Sequence, residues 1–150
     1  MKKTHLITLL VLLDAAQAGA GHSSQPAMDD DGSHVAFTSD AVLAGTDTNS
    51  DDDVFRRTVA NATVTLISGI GTAGDGRSWG PSISDDGNRV AFTTLATDLA
   101  PTDTDPSEDV QLRDLNLGIG LVSRSGAGVN GNGLSSGASI NGDGDSIVFV

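Results

Sequence analysis

Short apolar segments alternate with polar turns along almost the whole chain, and the segments recur. Val35–Thr38 reads VAFT, Val90–Thr94 reads VAFTT, and Ile147–Val150 reads IVFV. Each follows a turn of acids and glycine, as in Asp85-Asp86-Gly87-Asn88-Arg89, where Gly87 supplies the positive φ of a tight hairpin. In the middle of the chain the pattern predicts four strands in succession. They are Ser82–Ser84, Val90–Thr94, Val110–Leu115 and Gly120–Ser123. The second strands are apolar on consecutive residues, which suits a strand covered on both faces. One apolar run differs: Leu6–Leu13, near the N-terminus, is followed by small residues. Outside it no segment sustains apolar spacing at three and four residues, so no further helix is predicted.

The recurrence extends beyond these strands. Ser24–Ser39 (SQPAMDDDGSHVAFTS) reappears as Trp79–Thr94 (WGPSISDDGNRVAFTT) and again as Ser136–Val150 (SGASINGDGDSIVFV). Val42–Arg57 (VLAGTDTNSDDDVFRR) matches Asp98–Arg113 (DLAPTDTDPSEDVQLR), and Thr65–Ser68 matches Gly120–Ser123. The spacing is 55 to 57 residues, so Pro26 maps to Pro81 and Gly87 to Gly144. Four short strands in a repeat of this length define a blade of a β-propeller. The expected fold is all-β, with blades of four antiparallel strands. Blade 1 spans about 24–68, blade 2 about 79–123, and a third begins at about 136–150. Two blades and a hairpin make an incomplete propeller, since closure takes about four to eight blades. The remaining blades are expected in cis or in trans.

The N-terminus sets the compartment. Lys2 and Lys3, the run Leu6–Leu13 and Ala16-Gln17-Ala18 follow the order of a secretory signal peptide at residues 1–18, with cleavage after Ala18 or, as second choice, Ala20. The run is far short of the roughly 20 residues that span a bilayer, so the mature chain is not expected to be membrane-spanning. The expected localisation is periplasmic or secreted. The chain has no cysteine, so export brings no disulfides.

Charge then narrows the partners. Without residues 1–18, which hold Lys2, Lys3 and Asp14, six arginines face nineteen acids, a balance of −13. No basic patch remains to release counterions, which argues against nucleic acid. Glu108 is the only glutamate, and aspartate with nineteen glycines favours turns over helices.

The segment Pro81–Thr94, the DTD…DVQLRDL block and the closing LVS resemble the TolB-like, WD-repeat-like propeller blades of exported bacterial proteins. The repeated S-x-DG-x-x-VAF carries most of that resemblance. The third copy departs from it, with Asn141-Gly142-Asp143-Gly144, and the Trp-Asp pair of WD repeats is missing. The resemblance implies a periplasmic or secreted scaffold that binds a protein or small ligand. The alternative is the N-terminal propeller portion of a larger secreted enzyme, such as a peptidase.

Three motifs invite other chemistry. Gly76-Arg77-Ser78-Trp79-Gly80 fits the GxSxG of serine hydrolases, but so does Gly133–Gly137, at the matching place in the repeat. A nucleophile elbow also needs a following helix and a later histidine, and no histidine follows His34. No enzyme activity is expected. Gly69–Gly74 and Gly126–Gly131 both fit GxGxxG, yet neither opens a helix that could hold a pyrophosphate, so both read as crossings between blades. His22 and His34 form no cluster, and His34 is expected to be solvated in its hairpin. Trp79 is expected to pack between blades, and Asn61-Ala62-Thr63, a glycosylation sequon, to form the turn between third and fourth strands.

The remaining chemistry lies in the acidic loops. Asp47, Asn49, Asp51 and Asp53 alternate with other residues, and Asp103, Asp105, Ser107 and Asp109 repeat the spacing. Alternate oxygen-bearing side chains can converge on calcium, which takes six to eight oxygens. Neither loop has the glycine or the bidentate glutamate of an EF-hand, since Asp52 and Glu108, and Thr58 and Asp114, stand there. The other reading is that Asp53 and Asp109 fix the loops by bonding backbone amides. No other cofactor is expected.

Overall fold

The computed structural model describes residues 21–103, 105–131 and 133–150. The expected signal peptide lies outside these residues. Among them there are ten strands and no helix. β1 (Ser23–Met28), β2 (His34–Ser39), β3 (Asp53–Thr58) and β4 (Val64–Leu66) form one antiparallel sheet in chain order. β5 (Ser78–Ile83), β6 (Arg89–Thr94), β7 (Asp109–Asp114) and β8 (Gly118–Leu121) form a second of identical order, and β9 (Ser139–Ile140) pairs with β10 (Ile147–Val148). The protein is thus all-β, with two four-stranded blades followed by a hairpin.

The hairpin turns follow from glycine at Gly32, Gly87 and Gly144, with φ of 74°, 69° and 73°. A second left-handed position also recurs, and the sequence pattern did not mark it. Gln25, Gly80 and Gly137 have φ of 51°, 63° and 68°. At the first two, the register of the inner strand pair shifts, between Ser24 and Ala27 and between Trp79 and Ser82. An extra residue in one strand of a pair bends it and strengthens its twist. Gln25 occupies this conformation without being glycine, and its side chain offsets the strain. Its Oε1 accepts hydrogen bonds from Thr38 Oγ1 and from the Gly80 amide of the next sheet, both at 3.1 Å.

Several strand boundaries differ from expectation. β5 begins at Ser78 rather than Ser82, because the bulge lets pairing continue past Pro81. β4 and β8 end earlier than Ser68 and Ser123. The amides of Ile67 and Ser68 both converge on the Val54 carbonyl, and those of Val122 and Ser123 on the Val110 carbonyl. The chain therefore leaves the ladder there and turns each serine into the sheet.

The sheets stack with β2 and β3 of the first against β5 and β6 of the second. Ala36, Val54 and Ile67 of the first meet Ile83, Val90 and Phe92 of the second, with Ala96 and Leu99 closing the cluster and Leu115 and Ile119 flanking it. On the other face of the first sheet Phe37, Phe55 and Leu66 lie directly opposite one another across β2, β3 and β4. The two phenylalanine rings stack with centroids 5.9 Å apart. Both faces of β2 and β6 are covered, which is why VAF is apolar at successive positions. Main-chain bonds join sheet to sheet at matching places: Ser78 N donates to Asp52 O at 2.6 Å, and Ser135 N to Glu108 O at 2.7 Å.

Candidate functional site

Each blade buries one carboxylate at the start of its third strand. Asp53 and Asp109 are the first residues of β3 and β7, and both are almost completely inaccessible. The serine that the chain turns inward meets each of them. Ser68 Oγ donates to Asp53 Oδ1 at 2.6 Å, and Ser123 Oγ donates to Asp109 Oδ1 at 2.5 Å. The same hydroxyl oxygens accept from the amides of Val54 (2.9 Å) and Val110 (3.1 Å). The closing serine of the repeat thus holds the acid and the strand end together, which accounts for its recurrence. The second carboxylate oxygen, Oδ2, has no partner in either blade.

The loop before each third strand brings in a second buried acid, Asp47 in the first blade and Asp103 in the second. Burial pushes the Asp53 carboxyl up to about 6, opposed by the Ser68 bond and reinforced by the charge of Asp47. Burial likewise raises Asp47, Asp103 and Asp109, and the charge of Asp109 adds to the rise at Asp103. Of the other expected ligands, Asn49 stays close enough to Asp53 to oppose its rise, and the rest shape the loops. Asn49 Oδ1 accepts from the Asp51 amide at 2.9 Å, and Asn49 Nδ2 donates to the Gly74 carbonyl at 3.2 Å. Asp51 is exposed, and Asp105 Oδ1 accepts from the Ser107 amide at 2.9 Å. The alternating set therefore splits, with two acids inward and two loop residues shaping the turn. Among the described residues, no three His, Cys, Asp or Glu side chains gather into one cluster that could hold a metal ion.

One inward residue is absent from the sequence reading. Gln111 pairs with Phe92 and Leu121 across the second sheet, in the position that Phe55 holds in the first. It is fully buried, and its Nε2 donates to Asp103 Oδ2 at 2.8 Å while Oε1 has no partner. The signal was available in the aligned repeats, where DVFRR becomes DVQLR.

The histidine expectation needs correction. His34 is not a solvated turn residue: it opens β2, and its Nδ1 lies 2.7 Å from Oδ2 of the buried Asp29. Ser33 Oγ donates to the same oxygen at 3.0 Å. The Gly87 turn of the second blade lies directly against this ring. Ser78, the serine of the first GxSxG, is not presented as a nucleophile. Ser78 is buried in β5 with its Oγ 2.9 Å from Thr94 Oγ1, and Ser23 repeats the bond to Ser39 at 3.1 Å. Trp79 is half-buried in β5, with the Arg77 guanidinium 5.0 Å from its ring centre. Both glycine-rich segments form the crossings out of β4 and β8, each with an isolated bridge: Gly69 to Ala73 and Arg124 to Asn130. Asn61 and Ala62 form the turn between β3 and β4, where Thr63 N bonds Asn61 Oδ1.

No family model matches the chain, and no curated protein matches it. Among solved structures it is similar to a protein of Agrobacterium tumefaciens described as TolB, with 24% identity and a TM-score of 0.44. The match covers 67% of this chain and 33% of that one, so the chain spans about a third of the length of that structure. Among the described residues no helix is long and apolar enough to cross a membrane.

Proposed function

We propose that this chain is an exported, non-catalytic scaffold of propeller-type blades that holds a protein partner on the outer face of its second sheet. The observation that carries this reading is a groove of about 580 Å³ along β7 and β8, lined by Leu112, Leu117, Ile119, Val122 and Arg124. The matching face of the first sheet, at Val54 and Ile67, is covered by the second sheet. The repeat therefore specifies the occupant's chemistry: an apolar β-sheet surface of the kind Val90 and Phe92 present, supplied in cis or in trans. Leu117 stands 85% exposed at the rim, where such a surface would cover it. The strong negative charge makes nucleic acid a poor occupant. The buried, serine-threonine-bonded Ser78 supports a role without catalysis, and residues 1–18 support export.

Two measurements test this. Intact mass of the exported protein should match a chain beginning at Gly19, and retention of Met1 would overturn export. A photo-crosslinking side chain at Leu117 should give one protein adduct of defined mass in the exporting cell, while the same group at Asn61 gives none. Gly120→Arg, which fills the groove, should remove the adduct and leave the melting temperature unchanged. Equal labelling from both positions, or an adduct that persists in Gly120→Arg, would end the docking proposal.

A further inference from the structure

The two blades share a buried acid pair, but only the second adds a buried amide to it. In the first blade the row beside Asp53 is apolar, Phe37–Phe55–Leu66, and the Phe55 ring fills it. In the second the row is Phe92–Gln111–Leu121. A glutamine at a fully buried position of an apolar row costs free energy unless both ends of its amide are satisfied. Here only the donor end is, through Asp103. The acceptor Gln111 Oε1 is unpartnered, and so are Asp103 Oδ1 and Asp109 Oδ2, all three of them buried. The Gln111 amide is held against Asp103 at 2.8 Å, and Asp109 stands two residues before Gln111 on β7, on the same face of the strand. The three orphaned oxygens are all acceptors and none has a donor, although Arg113 Nε and Nη1, further along the same strand, are unpartnered as well.

We propose that Asp103, Asp109 and Gln111 form a cation site in the second blade, and that the site takes calcium. Two carboxylates match a divalent charge, and three protein oxygens with water or main-chain carbonyls suit a hard cation that tolerates irregular coordination. Magnesium demands near-ideal octahedral geometry and gives up its water reluctantly, so an enclosed site of this kind favours calcium. This differs from ligation by the alternating loop residues. Asp105 and Ser107 are engaged with each other in the turn, and the glutamine from the neighbouring strand position replaces them. It also separates the blades, because the first has phenylalanine where the amide oxygen is needed. Cation binding here does not depend on the docking groove, which lies along the outer strands of the same sheet.

The test uses the exported chain, stripped with chelator and titrated with calcium chloride by calorimetry and by thermal melting. Binding is expected with a Kd of about 0.1–1 mM, the range of extracellular calcium modules, with a melting temperature that rises with calcium. Gln111→Leu should fold without calcium, since leucine suits the apolar row, and should weaken binding at least tenfold. Asp103→Asn, which keeps shape and a hydrogen-bonding oxygen, should weaken it comparably. Asp47→Asn, in the first blade, should bind as the unaltered chain does. Absence of heat and of any melting shift at about 5 mM calcium would overturn the site. Full binding by Gln111→Leu would also overturn it, as would loss of binding in Asp47→Asn. Should Gln111→Leu fail to fold, the contrast between Asp103→Asn and Asp47→Asn decides alone.

Discussion

Phe92→Ala is expected to destabilise the protein by about 3–5 kcal/mol, the usual cost of removing a fully buried phenylalanine. Phe92 has no accessible surface, and it belongs to the cluster that joins the two sheets. Its removal therefore loses contacts with Ala36, Val54 and Ile67 of the first sheet as well as those within its own. Native domains are stable by about 5–15 kcal/mol, so this one change takes a large fraction of the total. Val148→Ala, at a side chain 69% exposed, should stay within about 0.5 kcal/mol. Denaturant unfolding followed by circular dichroism measures both. Equal midpoints for the two variants would show that the sheets do not rely on this cluster.

The second large effect is a stability that increases on mild acidification. Asp53 is held at about 6 in the folded chain by its burial, against about 3.9 for an unperturbed aspartate. Between these values the folded chain binds a proton that the unfolded chain has released. Its contribution to stability is fully present below pH 4 and is lost as the pH rises through 6. In calcium-free buffer, Asp53→Asn should be more stable than the unaltered chain at pH 7.5 by roughly 2 kcal/mol. The two should converge below about pH 4. The substitution keeps an oxygen to accept the Ser68 hydroxyl, so it removes the charge and little else. A constant difference across this pH range would assign the effect to something other than this ionisation.

The repeat was legible because it sits in residues whose roles are local. Gly32, Gly87 and Gly144 turn their hairpins by backbone conformation, and the doubly covered VAF strands announce themselves by consecutive apolar residues. Both signals are visible without knowing what lies nearby. The bulge at Gln25 was not legible, since a glutamine carries no sign of a left-handed φ and is held there by Thr38 and by a residue of the next sheet. The ends of β4 and β8 were misplaced for a related reason. Apolar Ile67 and Val122 continue the strand pattern, while their amides double back to Val54 and Val110. His34 read as an isolated turn residue because its partner Asp29 lies across the hairpin, one acid among three in Asp29-Asp30-Asp31. At the acidic loops the spacing marked Asp53 and Asp109, which turn inward, and equally Asp51 and Asp105, which turn away. Period alone cannot separate them: direction is set by the serine that waits at the end of the following strand, 14 or 15 residues on.

The joint between successive sheets has a consequence for how such a chain can change in length. Ser78 meets Asp52, and Ser135 meets Glu108, through amide and carbonyl groups alone. A main-chain joint places no demand on which side chains stand beside it, as the change from aspartate to glutamate at this position illustrates. A duplicated unit inserted there would meet its new neighbours with the same main-chain groups already in place, leaving the apolar contacts between sheets as the part that has to match. Copy number in an array joined this way can therefore drift by duplication and deletion of whole units, while each unit's buried acid, closing serine and turn glycine are inherited intact.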